Sequence, residues 1–428
     1  NLAIGYDAMG GAVAGGEFNT VIGNYAGDAL TSADRNVLIG YDAGTEVTTG
    51  GYNVIIGNNA GDALTTGASN TAIGYAAMGG NIGGSSNICV GQEAGVATTG
   101  SQNIFMGNSA GAANTSGANN IAIGTTAYDA ADTEDHNVAI GLNALGGPVE
   151  GAEYNIALGS NTLSSITGGD SNIAIGYASG NAATTMANSI LIGHGAGASK
   201  TTGNSVVLIG HDAGAALTTA EDVLFIGAYA GDGHDTETDN VGIGYGALGG
   251  AVAGGEYNTA IGNFTLDALT SADNNVAVGY NAGTAITTGG DNVFVGWGAG
   301  LQVTDGPQQT AIGKGCLGGG ATGTGKNTCL GYASLGGVST GYSNIGIGWQ
   351  AGNAILAGYE NIIIGYDSDT SGSASNCLVL GNSVTGASND FSFGKASNVV
   401  TCDFDADADW ARSSDLRLKR NIQDSTLG

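Results

Sequence analysis

The stretch "NVLIGYDAGTEVTTGGY" occupies residues 36–52 and returns, with substitutions, along most of the chain. The glycine of its "NxxIG" motif, Gly40 in this copy, recurs at 23 positions from Gly5 to Gly381. Of the 22 intervals between these glycines, 16 are 17 residues long. A short fixed period is typical of solenoids, in which each repeat forms one coil and stacks on the next. The repeat therefore predicts a stacked β-solenoid shaft over residues 1–394.

The composition of the 428-residue chain supports strands rather than helices. Glycine accounts for 81 residues, and each glycine inside a helix costs about 1 kcal/mol relative to alanine. Hydrophobic residues make up 42% of the chain and return in short runs, which disordered chains lack. The sequence therefore predicts an all-β fold built from many short strands and tight turns.

Three successive columns of the repeat are apolar. The residue immediately before the glycine is Ile, Val, Leu or Met in every copy, and the residue two places earlier is mostly Val, Ile or Thr. Alternate residues of a strand share a face, so we expect these two columns to line the interior of the coil. The column between them is also apolar and would then face outward, against identical chains around an axis. The resulting candidates for a trimer interface are Leu38, Ile55, Ala72, Phe105 and Phe294.

Three other columns of the repeat, formed by asparagine, alanine and a later aliphatic residue, indicate how the rest of the coil is built. Asparagine recurs four residues before the glycine, as at Asn36 and Asn53, and stacked copies can form an amide ladder. Alanine stands three residues after most of the glycines, and a later aliphatic residue such as Leu30 supplies a second wall. We expect each coil to contain two short strands and two bends.

Several functional classes are disfavoured by charge and spacing. The net charge of -28 opposes binding to nucleic acid, which relies on Lys and Arg. No apolar run reaches the roughly 20 residues that a membrane helix needs, so no membrane insertion is predicted. The five cysteines form no CxxC pair and are expected to be small buried residues rather than ligands or disulfides. The histidines suggest no catalytic triad, and we predict no metal and no cofactor.

The repeat resembles a known class. The segments "NVAIGLNALGG" (137–147), "NIAIGYASG" (172–180) and "NTAIGNFTLDALTSADNN" (258–275) are similar to the N-x-A-I-G coils of YadA-like trimeric adhesin heads and of related repeats in bacteriophage tail fibres. The resemblance implies a homotrimeric rod of left-handed parallel β-rolls, here with about 23 coils. The 17-residue coils are longer than those common in adhesin heads. Separate coils and an interleaved triple β-helix are both compatible with the sequence.

The period is lost after Gly394, and residues 395–413 are predicted to be a capping or transition segment. The following "SSDLRLKRNIQ" (413–423) is similar to the start of the C-terminal intramolecular chaperone (peptidase S74 type) of phage tail fibres and spikes. The shared positions are Ser414, Asp415, Arg417, Leu418, Lys419, Asn421 and Ile422.

This second resemblance implies self-cleavage between Ser414 and Asp415. Ser414 would be the nucleophile, Lys419 its base, and Asp415 would orient the bond. Because only 14 residues follow Ser414, residues 414–428 are interpreted as a stub, and the chain as it stands is not expected to be an enzyme. An exposed basic cluster that starts a short helix is the alternative interpretation.

Aromatic residues often follow the repeat glycine. Tyr41, Tyr280, Trp297 and Trp349 are therefore candidates for a receptor-binding surface, since exposed rings can stack on sugars. The alternative is that stacked coils align these rings as a purely structural ladder.

These features together predict a structural homotrimeric fibre protein, the shaft of a phage tail fibre or spike in the virion. Its expected partners are its own copies and a host cell-surface receptor, for which a glycan is one candidate. The alternatives are a YadA-like adhesin head on a bacterial cell surface and, less favoured, an ice-binding or glycan-binding solenoid.

Overall fold

The computed structural model describes residues 1–12, 14–251, 253–319, 325–405 and 410–413, the last four by their backbone alone. The described residues form strands and turns and no helix, and accordingly they contain no helix that could cross a membrane. The chain divides into two compact units, Asn1–Thr236 and Glu237–Gly428.

The first unit contains fourteen strands of three residues each among its described residues. Each strand pairs in parallel with the next one along the chain, from β1 to β14. The strands are β1 Leu2–Ile4, β2 Thr20–Ile22, β3 Val37–Ile39, β4 Val54–Ile56, β5 Thr71–Ile73, β6 Ile88–Val90, β7 Ile104–Met106, β8 Ile121–Ile123, β9 Val138–Ile140, β10 Ile156–Leu158, β11 Ile173–Ile175, β12 Ile190–Ile192, β13 Val207–Ile209 and β14 Leu224–Ile226.

The second unit continues the pattern within itself. Its strands are β15 Val241–Ile243, β16 Thr259–Ile261, β17 Val276–Val278, β18 Val293–Val295, β19 Thr310–Ile312, β20 Thr328–Leu330, β21 Ile345–Ile347, β22 Ile362–Tyr366, β23 Asp369–Thr370, β24 Leu378–Asn382, β25 Thr385–Gly386, β26 Asp390–Lys395, β27 Asn398–Asp403 and β28 Trp410–Ser413. Strands β15 to β22, then β24 and β26, form a parallel ladder, and β23 pairs with β25 in a small separate sheet.

The register of the ladder follows the sequence repeat. Val37 pairs with Val54 and Ile39 with Ile56, so partners lie one 17-residue period apart. Neighbouring strands in a sheet are spaced by about 4.8 Å, which makes each repeat one coil of a stack. The prediction of a parallel β-solenoid with a period near 17 residues and about 23 coils is confirmed.

Each repeat from β1 to β21 contains one strand among the described residues, so the expectation of two strands per coil is wrong there; only the last two repeats, with β22 and β23 and with β24 and β25, contain two. In the coil that starts at β3, Asp42 and Gly44 have φ angles of 54° and 59°. Two left-handed residues so close together prevent an extended conformation. The second wall of the coil is therefore a chain of turns, held to the next coil by bonds such as Gly44 N donating to Ala60 O at 2.9 Å.

The interior of the coil is lined by the middle residue of each strand. Leu38, Ile55, Ala72, Phe105 and Phe294, the middle residues that were expected to face other chains, are all fully buried within their own chain. The residues before and after each of them are the ones that point outward. The expected assignment of the two faces is therefore wrong: the columns are inverted.

The alanine and aliphatic columns are confirmed as the second wall. Ala26 and Ala43 are fully buried, and Leu30, Val47 and Leu64 are at most 1% exposed. These side chains meet the middle residues of the strands inside the coil.

Residue sizes inside the coil compensate for each other. Phe105 shares its coil with Gly111, where an added Cβ would lie 2.7 Å from the Phe105 ring. The next coil has Ala122 in the middle of its strand and the fully buried Tyr128 in the position equivalent to Gly111. Large and small residues thus alternate between two positions so that the interior stays filled.

The predicted amide ladder is present. Asn36 N donates to Asn19 Oδ1 at 2.9 Å and Asn53 N to Asn36 Oδ1 at 2.8 Å, so each side chain accepts from the next coil. The side-chain Nδ2 of Asn53 donates to Gly67 O at 3.0 Å, which closes the turn of its own coil. The ladder satisfies backbone N–H groups that are buried at the entry to each strand.

Two of the five buried cysteines are bonded to each other. Cys316 and Cys329 form a disulfide with a Cα separation of 6.1 Å, whereas Cys89, Cys377 and Cys402 are free and buried. The expectation of unpaired thiols is wrong for the bonded pair. Cys329 is a middle residue of a strand and Cys316 stands in the alanine column, so both side chains point into the interior.

The parallel ladder ends at β26. The chain reverses there, and β26 pairs antiparallel with β27, which pairs antiparallel with β28. Phe404, in the predicted capping segment, is 59% exposed and does not bury its ring against the last coil.

One coil carries a lysine in the aliphatic column. Lys200 is fully buried, and its ammonium donates to the carbonyl oxygens of Thr202 and Ala220. Burial lowers its pKa from 10.5 to about 8, while the nearby Glu221 carboxylate acts in the opposite direction.

We expect Asn53→Ala to destabilise the protein by about 2 kcal/mol. The substitution leaves the buried Asn70 N–H, which donates to Asn53 Oδ1 at 2.9 Å, without its acceptor. Urea denaturation followed by circular dichroism measures the effect. Asn58→Ala, at an exposed asparagine of the same coil, is the control and should change the free energy of unfolding little. Equal effects of the two substitutions would contradict a stabilising ladder.

We expect Lys200→Met to remove a pH dependence of stability between about pH 8 and 10.5. Because the folded pKa lies below the unfolded one, the unfolded chain binds more protons in this window, so stability rises with pH. The pKa difference corresponds to about 3 kcal/mol. The measurement is the difference in unfolding free energy between the parent and the variant at several pH values. A difference that stays constant from pH 7.5 to 10.5 would refute the assignment.

Candidate assembly face and exposed aromatic ladder

The outer face of the strand ladder is an apolar surface. In β10 the middle residue Ala157 is buried, while Ile156 and Leu158 on either side are 39% and 41% exposed. Met106 and Ile123, each next to a buried middle residue, are likewise exposed, at 40% and 36%. Because the strands are parallel and in register, these side chains align in two adjacent columns along each unit.

One outer column contains no polar residue in any of the 23 coils. The residue before the repeat glycine is Ile, Val, Leu or Met throughout, as in Ile39, Val90 and Leu330. Single exposed apolar residues are normal on protein surfaces, but an exposed column without one polar substitution is not. Nothing inside a single chain requires this, because the side chains do not reach the interior.

The apolar face is large enough for a stable interface. The first unit alone presents two outer columns over fourteen strands, which exposes on the order of 1,000 Å². The largest apolar patch on a typical monomer covers about 300–600 Å². The face exceeds that size and matches what one partner buries in a stable complex.

A further exposed column consists of the residues that stand directly after the repeat glycines. Its aromatic members, such as Tyr280, Trp297, Tyr332, Trp349 and Tyr366, are here called the aromatic ladder. In the second unit, the rings of Tyr332 and Trp349 stack at 6.0 Å, and those of Trp349 and Tyr366 at 4.8 Å. Lys314 extends the column, since its ammonium lies 5.0 Å from the Trp297 ring and 6.0 Å from the Tyr332 ring.

The four receptor-surface candidates all lie in this exposed column, but each ring contacts a neighbouring aromatic ring. Tyr280 and Trp297 stack at 6.4 Å with nearly parallel planes, and Trp349 lies between two stacked tyrosines. Tyr41 meets Tyr25 edge-on at 5.9 Å. Stacking on a sugar needs a free ring face, and the faces of Trp349 are covered. At Trp349 the geometry therefore favours the structural role over glycan binding.

The residues assigned to self-cleavage, Ser414, Asp415 and Lys419, lie outside the described residues. Their role stays a prediction that rests on the sequence resemblance alone.

The interior compensation is a signal that the sequence analysis missed. Wherever the middle residue of a strand is Phe, as at Phe225 and Phe294, glycine stands six residues later. This correlation between two columns shows that they share one enclosed space. It could have placed the middle column inside the coil and the column of Ile, Val, Leu and Met outside.

Comparisons with known proteins give no relative for this chain: no family model, no curated protein and no solved structure matches it significantly.

We expect Tyr332→Ala to destabilise the protein by about 1–2 kcal/mol, because it removes the stacked contact with Trp349 and the contact with Lys314. Tyr257→Ala is the matched control, because Tyr257 lies in the same unit and is similarly exposed, at 56% against 46%. The measurement is urea denaturation monitored by circular dichroism. If both variants lose the same small amount of stability, the ladder contributes nothing beyond single exposed rings.

Proposed function

We propose that the chain is the shaft of a structural fibre that assembles as a parallel homotrimer through its outer apolar face. The observation that supports this most is the outer column of Ile, Val, Leu and Met, which is exposed or half-buried in the single chain and contains no polar residue in 23 coils. Burial of such a column against other protein is favourable by roughly 25 cal/mol per Å².

A second copy of the same chain is the occupant that fits this face best. The face repeats with the period of the coils, so a partner must present apolar residues at the same spacing along the same length. An identical chain, parallel and in register, meets this condition in every coil. Closed symmetric assembly around an axis also leaves no apolar column exposed.

Three copies are proposed because the repeat resembles that of trimeric adhesin heads and phage tail fibres. The face fits this arrangement, since two outer columns per strand allow one column to contact each neighbour around a threefold axis. The interface residues in this proposal are outer ones such as Met106, Ile123 and Leu158, which replace the buried middle residues considered at first.

The proposed role is mechanical. A stack of coils with every strand hydrogen-bonded to the next has few open sheet edges, so it resists both unfolding and lateral aggregation. A phage tail fibre or spike shaft that holds a receptor-binding tip at a distance from the virion needs these properties. A surface adhesin of bacteria needs them as well and remains the second candidate for the chain's setting.

The acidic residues of the chain suit this structural role. The carboxylates recur in the turns of the repeat, so the excess of acidic residues is distributed along the whole chain. The net charge of -28 instead keeps long fibres soluble and apart from one another through repulsion.

We expect the parent protein to sediment at three times the chain mass of 41.6 kDa. A triple variant of the outer face, Met106→Asp with Ile123→Asp and Leu158→Asp, should reduce this mass or prevent folding, because it places clustered charges in the interface. Sedimentation equilibrium measures the mass, and circular dichroism reports whether the variant is folded.

The matched control places three aspartates in the exposed column that directly follows the repeat glycines. Asn108→Asp, Thr125→Asp and Leu142→Asp lie within the same stretch of four coils, and all three positions are exposed. This variant should keep the mass of the parent. A parent protein that is monomeric at micromolar concentration, or a control that dissociates as readily as the outer-face variant, would refute the proposed interface.

A cysteine variant tests the interface without disturbing it. Ile123→Cys brings three thiols close to the proposed axis, so mild oxidation should link chains covalently on a denaturing gel. Thr125→Cys, two residues away in the exposed column, should give far less linked product. Linking at position 125 but not at position 123 would show that a different face is used.

A further inference from the structure

Two histidines and one aspartate meet on the surface of the first unit. His194 follows the repeat glycine of the coil that starts at β12, and His211 occupies the same column one coil later. Their rings stack at 5.0 Å with planes only 7° apart. Asp212 lies next to His211 in the chain and has a left-handed backbone with a φ of 52°.

The turn at Asp212 directs its carboxylate towards both imidazoles. Its Oδ2 lies 3.2 Å from His211 Nδ1, and its Oδ1 lies 3.8 Å from His194 Nδ1. One ligand atom from each residue can be chosen so that all three lie within 4.8 Å of one another. Ligand atoms around a tetrahedral zinc ion are about 3.3 Å apart, given metal–ligand bonds of 2.0–2.2 Å.

We propose that His194, His211 and Asp212 form a binding site for a divalent transition metal ion such as Zn²⁺. The side chains are 56%, 48% and 32% exposed, so the imidazoles can rotate through the small distance that coordination requires. Three protein ligands leave a fourth position for water. The site is independent of the proposed assembly, since a single chain supplies all three ligands.

Glycine 195 makes room for this arrangement. An added Cβ at Gly195 would lie 2.2 Å from Asp212 Oδ1, the oxygen that faces His194. Other coils have side chains in this column, and Ala76 and Ala178 adopt the same left-handed backbone there. The absence of a side chain at Gly195 is therefore not required by the backbone, and it opens the space that the carboxylate occupies.

The same two coils depart from the repeat elsewhere. The ladder asparagine is replaced by Ser189 in the coil of His194 and by Val206 in the coil of His211. The link between them weakens to a bond from Val206 N to Ser189 Oγ at 3.3 Å. Lys200, in the coil of His194, also replaces an aliphatic residue of the interior. Other coils also break these columns, as Val223 and His234 do, so the two exposed histidines rather than the departures alone mark this place.

The ligand atoms, two imidazole nitrogens and one carboxylate oxygen, favour transition metal ions. Imidazole nitrogens suit Zn²⁺, Ni²⁺, Cu²⁺ and Co²⁺, whereas Ca²⁺ and Mg²⁺ prefer sites made only of oxygen. The negative charge of the chain raises the local concentration of any cation but does not distinguish between these ions.

A bound ion would connect two coils. His194 belongs to one coil and His211 with Asp212 to the next, so coordination adds a link between β12 and β13 where the amide ladder is interrupted. A ligand that binds only the folded state stabilises it by mass action. Zinc should therefore raise the thermal midpoint of the parent protein as its concentration increases.

The test is isothermal titration calorimetry, in which ZnCl₂ is titrated at pH 7.5 into the full chain without a histidine tag, and the stoichiometry and affinity of zinc binding are measured. We expect one zinc ion per chain, and Co²⁺ in its place should give the visible absorption of a low-coordinate site. His194→Ala, His211→Ala and Asp212→Asn should each weaken zinc binding at least tenfold. Gly195→Ala should weaken it too, because its methyl group displaces the carboxylate.

His136→Ala is the matched control. His136 is also exposed and stacks on an aromatic ring, that of Tyr154 at 5.0 Å, but it lies in a different column. This variant should bind zinc like the parent. Asp212→Asn preserves shape at a surface position, so the test does not depend on the folding of the alanine variants. The site is refuted if the parent binds no stoichiometric zinc, if the substitutions leave affinity unchanged, or if excess Ca²⁺ displaces the zinc.

Discussion

The close approach of successive repeat glycines is the constraint on which the structure depends. A Cβ added at Gly40 would lie 2.2 Å from Gly57 O, and one added at Gly74 would lie 2.4 Å from Gly91 O. Any side chain at these positions would push the coils apart and break the hydrogen bonds between them. Because the glycines allow contact, the strands of successive coils within each unit lie at sheet spacing, and each column of the repeat becomes a line of side chains along that unit.

The columns inside the coil and the columns outside it place different constraints on the sequence. Inside the coil, residue sizes can compensate, as Gly111 does for Phe105 and Tyr128 for Ala122, and where both positions are small, side chains of the neighbouring coils approach. Outside the coil no such compensation occurs, and one column is always apolar. A surface that keeps one chemical character in every coil, without a reason within the chain, is what a repeated contact with an identical partner requires.

Departures from the repeat carry as much information as the repeat. The coils of His194 and His211 have lost the ladder asparagine, contain a buried lysine at Lys200 and omit a side chain at Gly195. Each change alone is a tolerable defect in a long stack. These changes accompany three possible metal ligands from two coils, which lie within 4.8 Å of one another.

The sequence by itself determined the solenoid, its period, its parallel strands and the amide ladder, because these follow from spacing and from the backbone preferences of glycine and asparagine. It did not determine which apolar column faces inward. Three adjacent apolar residues fit a strand with either face inside, and apart from the pairing of each Phe with a glycine six residues later, the sequence carried no sign that Leu38 is enclosed while Ile39 points outward. The period places His194 and His211 in one column of successive coils, but the approach of the Asp212 carboxylate to both of them was beyond sequence reasoning. It depends on a left-handed turn and on the room beside Gly195, which arise only when two coils are stacked.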